Sequence, residues 1–265
     1  MKIGIFDSGL GGLVLTKAIT NALPTYDYIY LGDTLHVPYG PRSGEAIYEF
    51  TKKAVDFLFR QDCQLIIIAC NTASASALRR LQQEYLPVHY PQRRILGVVV
   101  PTLEEALSSG HHNLGLIATS FVVNSDIYAI ELQKMDPQIK ICAKATPLLV
   151  PLIENDGLDY VSAPLKDYLK PLIDQKIDGL ILGCTHYPLL KPLLKNILPP
   201  HIDLISQDDF LPAKLENYLE RHPEIEATLS RKSHYRFCVT DLAASYQTMA
   251  NKIFGKPVKL EKVVL

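Results

Sequence analysis

The chain has 265 residues, enough for one large domain or two of ordinary size. It is 48% hydrophobic and 21% charged, so a packed core is readily supplied. Its 27 basic and 28 acidic residues leave a net charge of -1, which argues against a basic surface built to neutralise phosphates, and no nucleic-acid partner is expected.

No apolar run reaches the roughly 18–20 residues of a membrane-spanning helix, so no membrane association is expected. Met1 leads directly into KIGIFDSG, which reads as a buried strand over Ile3–Asp7. The basic start, long apolar stretch and small-residue cleavage site of a signal peptide are missing, so the expected compartment is the cytoplasm. FDSGLGG follows the strand. Its glycines allow close backbone approach, and Ser8 with nearby N–H groups can bind an anion. Neither a phosphate-loop GK[ST] nor a dinucleotide GxGxxG is present. Asp7 would repel a carboxylate there; it suits an ammonium group, a partner that tunes a thiol, or a simple cap.

A helix is predicted over Gly12–Ala22 and a strand over Tyr28–Leu31, followed by the polar loop GDTLHVPYGPRS, where the Tyr39–Gly40 region could offer backbone donors to a carboxylate. A helix over Ser43–Arg60 and a strand over Leu65–Ala69 come next, then ACNTASA. Cys70 thus stands where a buried strand ends and a helix (Ala73–Tyr85) begins, a setting that favours thiolate. Further strands are predicted over Ile95–Val99, Leu114–Ala118, Ile139–Ala143, Gly179–Leu182, Asp203–Ile205, Tyr235–Val239 and Val258–Glu261. Helices are predicted over Thr102–Ser109, Val123–Lys134, Ser162–Asp174, Pro188–Ile197, Asp209–Arg221 and Leu242–Ile253. TPLLVPLIEND is apolar up to Glu154, which either orients His186 or lies in solvent. GCTHYPLL repeats the Cys70 arrangement at Cys184, with Thr185 as a cap and His186 two residues on.

Strands this apolar imply burial on both faces and hence mostly parallel sheets covered by helices, an α/β fold. KIGIFDSG pairs with NLGLIATS, and LIIIACNT with LILGCTHY. The separation of Gly4 from Gly115 nearly matches that of Cys70 from Cys184. This repeat predicts two pseudo-symmetric lobes: residues 1–97 plus 209–265 carrying Cys70, and 98–208 carrying Cys184. Ligands bind beyond the carboxyl ends of parallel strands, so both cysteines are expected to face one cleft.

Five cysteines without a CxxC pair argue against a disulfide framework or a zinc site, and no metal is expected. Cys63, Cys142 and Cys238 read as packing residues. Racemisation needs a base on each side of one carbon, one acting as thiolate while the other donates as thiol, and that symmetry matches the symmetry of the sequence. A thiol hydrolase or transferase using Cys70 alone, and a non-enzymatic protein-binding role, remain as alternatives.

FDSGLGG, PYG, ACNTASA, VPLIE and GCTHYPLL, in this order, resemble the glutamate racemases of the aspartate/glutamate racemase superfamily over about Ile3 to Leu219. The resemblance implies reversible interconversion of L- and D-glutamate without pyridoxal phosphate or another cofactor, supplying D-glutamate for peptidoglycan synthesis, in a homodimer. Cys70 matches the base for the D-isomer and Cys184 the base for the L-isomer. Asp7 would assist Cys70, and His186 would assist Cys184 with Glu154 beside it. Ser8, Tyr39, Gly40, Asn71, Thr72, Thr119, Thr185 and His186 match positions that hold the substrate. A related racemase acting on aspartate is the nearest competing reading. The chain departs from the family pattern at Val122 (threonine in many members), His36 (arginine), Thr146 (often cysteine) and around Ser206–Gln207 (commonly Ser-Gly). Of these, Val122 bears on affinity for the distal carboxylate.

Overall fold

The computed structural model describes all 265 residues. Two all-parallel sheets carry the molecule. The first has the strand order β10-β9-β2-β1-β3-β4 and the second β6-β5-β7-β8. In the first, β1 (Lys2–Asp7), β2 (Tyr28–Gly32), β3 (Cys63–Ile68) and β4 (Arg94–Gly97) are extended by β9 (Tyr235–Val239) and β10 (Leu260–Lys262). The second consists of β5 (Asn113–Ala118), β6 (Lys140–Ala145), β7 (Gly179–Gly183) and β8 (Asp203–Ile205). β2-β1-β3-β4 and β6-β5-β7-β8 are the same arrangement used twice. The register agrees: Gly4 lies opposite Ile66 and Gly115 opposite Leu180, and in each lobe the cysteine follows that partner at the same distance.

The helices in chain order are α1 (Gly12–Ala22), α2 (Gly44–Arg60), α3 (Asn71–Arg80), α4 (Leu86–His89), α5 (Val99–Ser108), α6 (Ser120–Asn124), α7 (Ile127–Met135), α8 (Leu149–Glu154), α9 (Ser162–Asp174), α10 (Lys191–Ile197), α11 (Gln207–Arg221), α12 (Pro223–Glu226) and α13 (Ala244–Phe254). A π-helical turn over Leu81–Tyr85 joins α3 to α4. No helix is long and apolar enough to cross a membrane. The single helix expected over Val123–Lys134 is two. Asp126 adopts the left-handed conformation (φ 52) and breaks the hydrogen-bond run between α6 and α7. α8 is a helix that the proline-rich apolar pattern of TPLLVPLIE did not announce. The expected strand Ile95–Val99 stops at Gly97, because Val99 already opens α5.

Burial follows from the sequence: Ile3, Ile5, Ile66 and Ile68 of β1 and β3 are fully buried, as are Ile117, Leu180 and Ile181 of β5 and β7. Separate apolar clusters lie within the first lobe, around Phe6, Phe59 and Ile66, and within the second, around Ile117, Leu165 and Leu180. The largest cluster, 37 residues, takes side chains from both sheets and from α1, α5, α7 and α11, so the lobes share a core behind the cleft.

In each lobe the chain runs from the first strand to one neighbour and then back across to the other, so the order reverses between β1 and β3 and again between β5 and β7. These reversals are where open α/β sheets leave a crevice at their carboxyl ends.

Candidate active site

The four strand ends at the two reversals deliver Ser8, Cys70, Thr119 and Cys184 to one cavity of about 350 Å³ between the lobes. Loop 37–41 and the Thr146–Asn155 segment complete its walls. No Lys or Arg lines it, so a carboxylate inside must be met by N–H and O–H dipoles and by His186.

Cys70 is the N-cap of α3. Its sulfur accepts from the Ala73 N–H at 3.4 Å and donates to Ser8 Oγ at 3.3 Å. Burial, reinforced by the nearby Asp7 carboxylate, pushes its pKa up to about 12 against the two hydrogen bonds. Cys70 is therefore a thiol at neutral pH, and a helix start alone does not make it a thiolate.

Cys184 directly follows β7, with its sulfur 3.8 Å from His186 Nδ1. On the far side, His186 Nε2 is 3.0 Å from Glu154 Oε1, at the last residue of α8. That contact is off-axis: Nε2 has no well-aligned hydrogen-bond acceptor. Burial works against charge on His186, but the Cys184 sulfur and the Glu154 carboxylate outweigh it and raise its pKa to about 10. The imidazole is thus held as an imidazolium beside one of the two sulfurs.

Asp7 is fully buried at the end of β1 and accepts from the Gly9 N–H and from Thr185 Oγ1, both at 3.1 Å. Burial raises its pKa, while the His186 charge and these donors oppose the rise. It both caps its own loop and ties the first lobe to Thr185 of the second. Gly11 shows how close that approach is, since a Cβ there would lie 2.4 Å from His186 Nδ1 and 2.6 Å from Thr185 Oγ1. Thr72 and Thr119 make a second inter-lobe contact, hydroxyl to hydroxyl at 2.8 Å.

Gly40 lies against Thr119, where a Cβ would come within 3.2 Å of the threonine Cβ. Tyr39 also lines the cavity, but its hydroxyl donates to the buried Asp33 at 2.6 Å, which leaves its backbone as the group open to a ligand. His36 and Thr240 bond the same Asp33 carboxylate, so His36 anchors the loop from behind. Val122 is buried in the shared core and does not line the cavity, which removes it from any direct contact with a distal carboxylate. Cys63 and Cys238 are buried and Cys142 half-buried, all away from the cavity.

Residues 3–206 match the Asp/Glu/Hydantoin racemase family. The chain belongs to this family. It is 37% identical over 268 residues to the glutamate racemase of Syntrophus aciditrophicus (strain SB), covering 99% of this chain and 96% of that protein. Among solved structures it is similar to glutamate racemase isoform RacE1 from Bacillus anthracis, with a TM-score of 0.91, 32% identity, and coverage of 100% of this chain and 97% of that one. It is also similar to the glutamate racemase of Francisella tularensis subsp. tularensis SCHU S4 in complex with D-glutamate, with a TM-score of 0.89, 32% identity, and coverage of 99% and 97%.

All the site residues expected of this racemase family member reach the cavity or its immediate wall: Asp7 supports from behind, and the others line it. The sequence marks Gln207 only as a departure from the family pattern and gives no role to Asp33, Thr102 or Tyr128; in the structure Asp33 anchors Tyr39, and Thr102, Tyr128 and Gln207 form a buried set with Asn71. These residues stand far apart in the chain, and no local pattern announces their pairing.

Proposed function

We propose that this chain is a glutamate racemase that inverts Cα by two-base proton transfer between Cys70 and Cys184. The observation that carries the reading is that two cysteines, at equivalent strand ends of a doubled fold, line one cavity. Each face of a bound amino acid then meets its own sulfur. In the L-to-D direction Cys184 takes the Cα proton as thiolate and the Cys70 thiol delivers one; in the D-to-L direction the resting proton first passes from Cys70 to Cys184, so that Cys70 takes the Cα proton as thiolate and Cys184 delivers one as thiol. Asp7 attends the Cys70 side, and His186 with Glu154 attends the Cys184 side.

The Cα proton is very weakly acidic, so the carbanion must be stabilised where it forms. Ser8, Asn71, Thr72, Thr119, Thr185, His186 and the Tyr39–Gly40 backbone supply donors for the two carboxylates and a place for the amine. Such donors are worth most in a water-poor site, where little reorganisation accompanies charge development. The reaction draws on the chain's own groups and calls for no cofactor or metal.

The first lobe comprises residues 1–97 plus 209–265 and the second 98–208, with the site between them. The protein works as a homodimer in the cytoplasm, each chain carrying a complete site, and its product D-glutamate serves peptidoglycan synthesis. The test is polarimetry on the separate enantiomers of glutamate and aspartate. Loss of optical rotation for both glutamate enantiomers, with aspartate unchanged, is the expected result. Turnover of aspartate alone would overturn the substrate assignment.

A further inference from the structure

A buried polar cluster lies under the Cys70 wall, built from both lobes. Gln207 opens α11 directly after β8 and is 4% exposed. Its carboxamide pairs with that of Asn71, the residue after Cys70. Asn71 Nδ2 donates to Gln207 Oε1 at 3.0 Å, and Gln207 Nε2 donates to Asn71 Oδ1 at 2.9 Å. Two groups of the second lobe close the cluster. The Tyr128 hydroxyl of α7 donates to Asn71 Oδ1 at 2.7 Å, and Thr102 Oγ1 of α5 accepts from Gln207 Nε2 at 3.1 Å.

Buried amides and hydroxyls are costly unless bonded, and here each is bonded. The carbonyl oxygen of Asn71 has two lone pairs, and both are taken by Tyr128 and Gln207. Its nitrogen has two protons, of which Gln207 takes one. One amide proton is all the side chain has left to give, and Asn71 lines the cavity. An unconstrained carboxamide could turn either end to a ligand; this one is locked with its nitrogen available.

We propose that Gln207 is a positioning residue. It fixes Asn71 as an N–H donor to a substrate carboxylate, and through Asn71 it pins the first turn of α3, and so Cys70, to the second lobe. The proposal rests on the racemase reading above for its substrate.

A double-substitution cycle tests it. Gln207→Met keeps side-chain volume while removing every hydrogen bond, and it is compared with Asn71→Ala and with the pair. Gln207→Met is expected to lower kcat/KM for glutamate by about 10- to 100-fold, the range expected when a buried partner is left unbonded. In the Asn71→Ala background the same change is expected to cost less than about threefold, because residues acting as one unit are not additive. Unchanged kcat/KM in Gln207→Met, or fully additive losses, would overturn the proposal. Gln207→Glu adds a readout that a purely structural role would not move. Its activity relative to the unsubstituted protein is expected to recover as pH falls and the introduced carboxyl gains a proton to donate to Asn71. A relative pH profile identical to that of Gln207→Met contradicts the proposal.

If the unsubstituted protein does not racemise glutamate, the functional reading fails by itself. The clamp is then judged by hydrogen exchange of the Cys70–Ala77 amides. Faster exchange in Gln207→Met supports it, and unchanged exchange rejects it.

Discussion

The two sulfurs stand in unlike surroundings although they follow equivalent strands of a doubled sheet plan: Cys70 caps α3, whereas Cys184 leads into a 3-10 turn over Tyr187–Leu190. Cys70 is desolvated beside Asp7 and stays protonated up to about pH 12, whereas Cys184 faces an imidazolium held by Glu154. This asymmetry suits a resting site that holds one proton donor and one group primed by a cation. Removing either sulfur, in Cys70→Ala or Cys184→Ala, should lower kcat for glutamate racemisation by at least about 100- to 10,000-fold, since each acid–base group typically contributes that much. Circular dichroism of the substrate reads the loss. Glu154→Gln removes one of the two groups that keep His186 charged. The alkaline limb of the kcat/KM profile, measured from pH 6 to 10, should move to lower pH in that variant. An unmoved limb would mean that Glu154 does not tune the imidazole.

At the level of elements, the ten expected strands all form; the central strands β1, β3, β5 and β7 are short apolar runs that each lead into a small or polar cluster. Those clusters line the cavity between the lobes, which is why Ser8, Cys70, Thr119 and Cys184 could be read from the chain. What could not be read depends on geometry between distant elements: the Asp126 break, the Asp33 anchor of the Tyr39–Gly40 loop, and the pairing of Gln207 with Asn71. Thr119 joins an element boundary and a cavity wall in one side chain. Its hydroxyl caps α6 by accepting from the Val122 N–H at 3.4 Å, and it also meets Thr72. Thr119→Val keeps the shape and loses both contacts. Urea unfolding should show about 1 kcal/mol less stability, the usual worth of an N-cap, and the KM for glutamate should rise. Loss of stability with an unchanged KM would confine Thr119 to capping.

The whole molecule is two copies of one sheet plan closed on each other, with β9 and β10 added to the first. The closure is tight at Gly11, where any Cβ would strike His186 and Thr185 of the other lobe. Gly11→Ala should therefore lower stability by about 1–3 kcal/mol, as overpacking does, and should depress kcat further by opening the cleft. A thermal melt and a rate measurement on one sample separate the two effects. The fold should also weaken in alkali. The folded-state pKa of His186 is raised to about 10 from an ordinary 6.5, so its contribution is complete below about pH 6.5 and is lost as pH rises through about 10. The raised pKa of Cys70 acts with the same sign at still higher pH. Urea midpoints across pH 6 to 10 should fall accordingly.

Inversion by this site requires two separate bases. D-glutamate incubated in D2O, with the first few per cent of conversion analysed by mass spectrometry, tests this directly. Cys184 exchanges its proton with solvent before delivering it, so the L-glutamate formed should carry deuterium at Cα while the remaining D-glutamate keeps protium. L-glutamate that retains the original protium would mean that one group both removed and returned the proton, and would contradict the two-sulfur mechanism.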